Sequence, residues 1–326
     1  MKKLDVLNGL RGYAILGVIY FHLIGTFINR PGWFSYQFGD LLIFPLTFLS
    51  NGWLGVNLFF ILSGFVLFLP YISGQRQINN WQDIAGFYKQ RAKRLLPLYY
   101  FTVLISFLFI VHRTDIYSPE FLKELLILLT ATFNFSKETF IPQSNYILWS
   151  LGIEIWFSIL FPFLILLIKK VDMYKFAIGV AVFSLATRYY ASQHPEYWLA
   201  PFMNMIKDSL AGRLDDFMIG MLLCYIYVNK VGENFFKSLA EPLLIFSLVF
   251  MFFALQYSDY IYLGRLTGIS DIFINTFAQI GFGLMIIASL YLPKGFLRFF
   301  VANWPVQMAG LMCYSLYLWH GNLRML

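Results

Sequence analysis

Arg11 and His22 frame one apolar stretch, "RGYAILGVIYFH". In an α-helix the steps between them, about 100° and 1.5 Å each, bring both side chains to one face, about 16 Å apart along the axis. With Arg11 at one surface of a hydrocarbon layer about 30 Å thick, His22 lies near the midplane. There a neutral imidazole can take a proton from a hydroxyl group, or it can simply hydrogen-bond a neighbouring helix.

Glu154, in "NYILWSLGIEIWFSILFPFLILLIKK", is the sole carboxylate between Glu138 and Asp172. If its span begins near residue 146, it lies about 12 Å below the outer surface, the depth range of His22. An acid and an imidazole at one level can act as an orienting partner and a base. The alternative is a structural ion pair with an arginine such as Arg213.

"FYKQRAKRLLPLYY" places Arg91 and Arg94 three positions apart beside Lys89 and Lys93. On a helix the two guanidinium groups share a face suited to phosphate, whereas simple anchoring by the positive-inside rule explains the lysines. "GRLDDFMIG" sets Arg213, Asp215 and Asp216 together, either paired among themselves or meeting a hydroxylated substrate. His320 closes the last apolar run as a polar cap or part of a mouth. Gly55, Ser63 and Gly64 in "GVNLFFILSGF" predict close helix packing.

The elements that must hold these residues are set by composition. Of 326 residues 59% are hydrophobic and 13% charged, which excludes an ordinary soluble domain. Apolar runs near 12–28, 53–72, 95–112, 146–168, 174–191, 209–228, 242–257, 271–292 and 306–320 predict about nine transmembrane helices. "FLKELLILLTATFNF" is short and amphipathic and predicts an interfacial or re-entrant helix. The expected fold is an all-α polytopic membrane protein, one domain over residues 1–326. The odd count and the stop after "SLYLWHGNLRML" predict that a final, returning helix is lacking.

The net charge of +7 comes from basic residues scattered through short loops, so nucleic acid is not an expected partner. With the N-terminus cytoplasmic, the larger share of Lys and Arg falls inside. Cys224 and Cys313 lie in apolar runs and read as small core residues. No metal-ligand spacing, nucleotide-binding glycine loop or nucleophile elbow occurs in a supporting context.

"GLRGYAILGVIYFH", "GVNLFFILSGF", "RAKRLLPLYY", "LWSLGIEIWFSILFP", "RLDDFMIG" and "YSLYLWHG" occur in this order along nearly the whole chain. Together they resemble the acyltransferase-3 family, membrane O-acyltransferases of bacterial polysaccharides and related glycans. Asn57 and Ile155 depart from the family pattern, which often has aspartate at the first and glutamate at the second.

The resemblance implies a multi-pass protein of the bacterial inner membrane. It would move an acyl group, most often acetyl, from cytosolic acyl-CoA to a hydroxyl of an extracytoplasmic glycan, with no permanently bound cofactor. His22 and Glu154 are then the catalytic candidates. Arg11, Arg91 and Arg94 are candidates for CoA, and Trp149, Ser150, Arg213, Asp215 and His320 for the acceptor. The alternatives are a proton-coupled permease for a sugar or anion, using His22 and Glu154 as a relay, and an inactive shortened family member.

Overall fold

The computed structural model describes residues 4–25, 35–110, 118–200, 203–266 and 268–323. Its main helices are α1 (Leu4–Tyr20), α2 (Gly55–Ile72), α3 (Trp81–Ile110), α4 (Pro119–Thr130), α5 (Leu148–Ile168), α6 (Met173–Ser192), α7 (Leu210–Val228), α8 (Ala240–Tyr262), α9 (Phe273–Tyr291), α10 (Trp304–Leu311) and α11 (Cys313–Leu323). Two small antiparallel hairpins accompany them, β1 (Tyr36–Phe38) with β2 (Leu41–Ile43), and β3 (Trp198–Ala200) with β4 (Met203–Asn204).

Within the described residues the nine apolar runs fall on helices, with three differences of extent; residues 26–28 of the first run and 111–112 of the third lie outside the described residues. α3 begins at Trp81, well before its apolar run; α8 continues to Tyr262; the last run is divided at Met312 into α10 and α11. Among the described residues five helical segments are long and apolar enough to cross a membrane: Asp5–Gly25, Gly52–Ile72, Leu148–Ile168, Ala240–Tyr262 and Ile269–Tyr291. The protein is all-α in its architecture and multi-pass in its hydropathy.

Two compact units make up the chain. The first comprises Met1–Gln75, Arg188–Gln193 and Asp215–Cys313. Small residues set its helix spacing. A Cβ added at Gly310 of α10 would come within 1.7 Å of the Asn8 carbonyl oxygen of α1, and one at Gly12 within 1.9 Å of the Val306 oxygen. α2 and α7 meet the same way, since a Cβ at Gly64 would lie 2.1 Å from the Phe217 oxygen and one at Gly220 1.9 Å from that of Ile61. Gly55 meets the Ala14 oxygen at 2.7 Å, so the predicted packing role of Gly55 and Gly64 is observed.

The second unit comprises Arg76–Thr187, His194–Leu214 and Tyr314–Leu326. Its core gathers Tyr99, Val103 and Phe107 of α3, Leu128 of α4, Leu148 and Leu151 of α5, and Leu318 of α11. α4 is a 12-residue helix, about 18 Å long and too short to cross a membrane. Ser118 caps its start by accepting the Phe121 N–H, and Ala131 ends it at φ 53°. Leu128 faces the core while Leu122, Leu126 and Leu129 are exposed, the amphipathic pattern expected of this segment.

Candidate functional site

In the second unit, α5 presents Ser150, Glu154 and Ser158 at four-residue intervals, hence along one face. Arg91 of α3 reaches that face. Its Nη2 donates to Glu154 Oε1 at 3.0 Å and to Ser158 Oγ at 3.0 Å, and its Nε donates to Ser158 at 3.1 Å. The Glu154 side chain keeps 27% of its surface exposed, against 10% for Arg91. One oxygen of a partly buried acid is thus fixed by a guanidinium, while the side chain keeps about a quarter of its surface accessible. The arginine shown to pair with Glu154 is Arg91, on the preceding long helix α3.

Arg94 lies on the same helix as Arg91 but is exposed, as are Lys89 and Lys93. The three-residue offset therefore separates a paired guanidinium from a solvent-facing one.

Ser150 and Tyr317 exchange a 2.5 Å hydroxyl hydrogen bond, and Tyr317 also donates to the Ile147 carbonyl at 3.2 Å. The Nδ1 of His320 lies 2.6 Å from the Tyr317 carbonyl oxygen, within a buried ring. Trp149 is held by Asn134, whose amide donates to its carbonyl at 3.0 Å, and by Phe140, stacked at 6.1 Å between centroids. Ser150 and His320 are accordingly joined by one α5–α11 contact through Tyr317, while Trp149 is held separately by Asn134 and Phe140.

Arg213 is closed off. It donates to Asp208 at 3.0 and 2.5 Å, with both side chains 2% exposed. In the first unit Asp215 takes two hydrogen bonds from Arg188, at 3.0 and 2.7 Å, and Arg188 also meets Thr276 at 3.3 Å. Asp216 accepts from Gln279 at 3.0 Å and from Asn57 at 3.3 and 3.4 Å. Each of the three charges of "GRLDDFMIG" thus has a partner outside that block.

Arg11 and His22 belong to one helical rod of the first unit. Arg11 is on α1, and His22 is on a π-helical turn, Phe21–Gly25, that continues it. Such wide turns are commonly found at functional sites. Both side chains are partly exposed. His22 meets Phe21 edge-on at 5.2 Å. Glu154 belongs to the other unit.

Four residues in this polar framework were not singled out by spacing: Arg188, Asp208, Asp259 and Tyr317. Arg188 carried a usable signal, the one charged residue in the interior of its apolar run, 13 positions from Lys175 at the run's start. Asp259 fell two residues beyond the expected end of its run, whereas α8 includes it. Among the described residues no group of three His, Cys, Asp or Glu could hold a metal ion. Cys224 is buried as expected and Cys313 partly buried.

Comparison with known proteins extends this reading. O-acetyltransferase OatA of Staphylococcus aureus is 27% identical over 98% of this chain and 50% of its own length. Peptidoglycan O-acetyltransferase OatA of Listeria monocytogenes is 23% identical over 98% of this chain and 49% of its own. A putative O-acetyltransferase of Staphylococcus aureus strain COL is 26% identical over 98% and 50%. The chain spans about half the length of the curated relatives it matches. No solved structure matches it significantly. The acyltransferase domain model covers residues 4–326, carrying every block quoted above, and the chain therefore belongs to the acyltransferase-3 family.

Proposed function

We propose that residues 1–326 form one acyltransferase domain, spanning the bacterial cytoplasmic membrane about nine times with its N-terminus inside. It moves an acetyl group from cytosolic acetyl-CoA to a hydroxyl of an envelope glycan. Peptidoglycan is the first acceptor to test, since that is the glycan named for the Listeria relative.

The observation that carries this reading is Arg11 and His22 on one helical rod in a member of this family. A phosphate-binding charge at one end and a proton acceptor near the midplane suit a donor that enters from the cytosol. His22 takes the proton of the acceptor hydroxyl as the oxygen attacks the thioester carbon. The C–S bond breaks and the imidazolium returns the proton to the CoA thiolate. An acyl-histidine intermediate is the variant mechanism.

Arg11, Arg91 and Arg94 are assigned to the donor. Arg94, exposed, offers its guanidinium directly, while Arg91 is held in place by Glu154 and Ser158. Glu154 is assigned to the catalytic centre as the acid that fixes this arginine and whose side chain stays partly accessible. Trp149 is assigned to the acceptor, with Ser150 and His320, which are joined through Tyr317. Arg213 and Asp215, closed in buried ion pairs, hold α7 rather than touch the acceptor.

Proteoliposomes supplied with acetyl-labelled acetyl-CoA and glycan fragments test the reading. The expected product is base-labile label bound covalently to glycan. His22→Ala should lower its formation by about a hundredfold or more while CoA binding persists. Label that changes compartment without becoming bound would favour a permease, and substantial transfer by His22→Ala would remove the imidazole from the mechanism.

A further inference from the structure

We propose that Asp259, remote in sequence from every motif above, is a positioning residue for His22, acting through the segment 42–52. The inference rests on the reading of His22 as the base. Its geometry lies wholly within the first unit.

The end of α8 presents Gln256, Asp259 and Tyr260 at three- and four-residue offsets, hence on one face. All three grip the chain that follows β1. The Leu42 N–H donates to the Tyr260 hydroxyl at 2.7 Å. Gln256 accepts from the Phe44 N–H at 2.9 Å and donates to the Phe44 carbonyl at 2.6 Å. Asp259 takes the largest share. Its Oδ2 accepts from the Thr47 hydroxyl at 2.6 Å, and its Oδ1 from the Asn51 amide at 2.8 Å and the Ser50 hydroxyl at 3.4 Å.

The segment so held is the wall against which the His22 turn is built. A Cβ at Gly25, the last residue of that turn, would lie 2.6 Å from the Leu49 oxygen. One at Gly52 would lie 2.1 Å from the Gly17 oxygen and 3.0 Å from the Phe21 Cβ. Residues 49 and 52 thus touch the chain on both sides of His22. Thr47, Ser50, Asn51 and Asp259 are all buried, so deleting the carboxylate takes the 2.6 Å acceptor from Thr47 and the shortest contact from Asn51, while Ser50 and Asn51 keep the Thr47 carbonyl at 3.1 and 3.2 Å. Gln256 and Tyr260 still hold residues 42 and 44, but the part that faces the His22 turn, residues 47–52, loses its main anchor on α8 and the wall of the turn loosens.

The test is site-resolved modification of His22 by diethyl pyrocarbonate, read by mass spectrometry in detergent-purified full-length protein, with His194 as internal control. Asp259→Ala should speed modification of His22 about threefold or more and leave His194 unchanged. It should lower kcat about tenfold with the KM for acetyl-CoA within about twofold. Asp259→Asn, which keeps an acceptor for Asn51, should restore most of both. Thr47→Val and Gly25→Ala, which disturb the same contact from its other sides, should reproduce the His22 change, and they carry the test if Asp259→Ala does not fold. Unchanged His22 modification in the folded variants overturns the proposal. An altered His22 rate alongside an active His22→Ala keeps the positioning and removes the base.

Discussion

Arg188 and Arg91 each meet a carboxylate inside their own unit, yet the two pairs are built differently. Arg188 and Asp215 share two hydrogen bonds, and their side chains are 1% and 3% exposed. Arg91 and Glu154 share one and leave 10% and 27% of their side chains exposed. Removing one partner of a sealed pair strands the other charge without water. In the half-open pair water or a ligand can replace the missing partner, so the exposure that makes Glu154 less necessary to folding is what makes it available to chemistry.

The sharpest way to break this comparison is Asp215→Ala, which leaves Arg188 buried without its acceptor. It should destabilise the protein by about 3–5 kcal/mol, read as loss of folded protein in a thermal-unfolding series in detergent. A melting profile like that of the wild type would mean that water already reaches Arg188 and that the contrast in burial is not energetic.

Glu154→Gln, by contrast, should leave melting nearly unchanged and reduce acetyl transfer about tenfold or more. A double-mutant cycle then tells which residue Glu154 serves. Coupling with Arg91→Gln and additivity with His22→Ala is the result expected from the observed ion pair. The reverse pattern would identify the imidazole as its functional partner. The smallest effect belongs to the exposed pair Lys237–Glu233, four residues apart at 2.8 Å. Lys237→Ala should cost about 0.3–0.5 kcal/mol or less and leave transfer untouched, completing the series from sealed to open.

What could be foreseen follows from the range of the forces involved. Apolar runs, glycine contacts and the amphipathic α4 are local or periodic signals, and the described residues of the nine runs fall on helices. Ion-pair partners are long-range choices that spacing does not encode. Asp215 chose Arg188 across 27 positions and Glu154 chose Arg91 across 63, whereas the sequence offered Arg213 to both. Helix ends were the other loss. Hydropathy falls where Gln256 and Asp259 begin, but the backbone remains helical because its hydrogen bonds continue and the loop 42–51 supplies donors to the polar face. The same effect extended α3 back to Trp81 and put Arg91 on a helix opposite Glu154.

The 27 positions between Arg188 and Asp215 also have a meaning in time. At roughly 5–20 residues per second, the ribosome makes Asp215 about one to five seconds after Arg188. During that interval α6 carries an unneutralised guanidinium, and α6 is not among the helices apolar enough to cross alone. If α6 spans the bilayer, its guanidinium is neutralised only when α7 brings Asp215, so the ion pair favours insertion of the two helices as a hairpin.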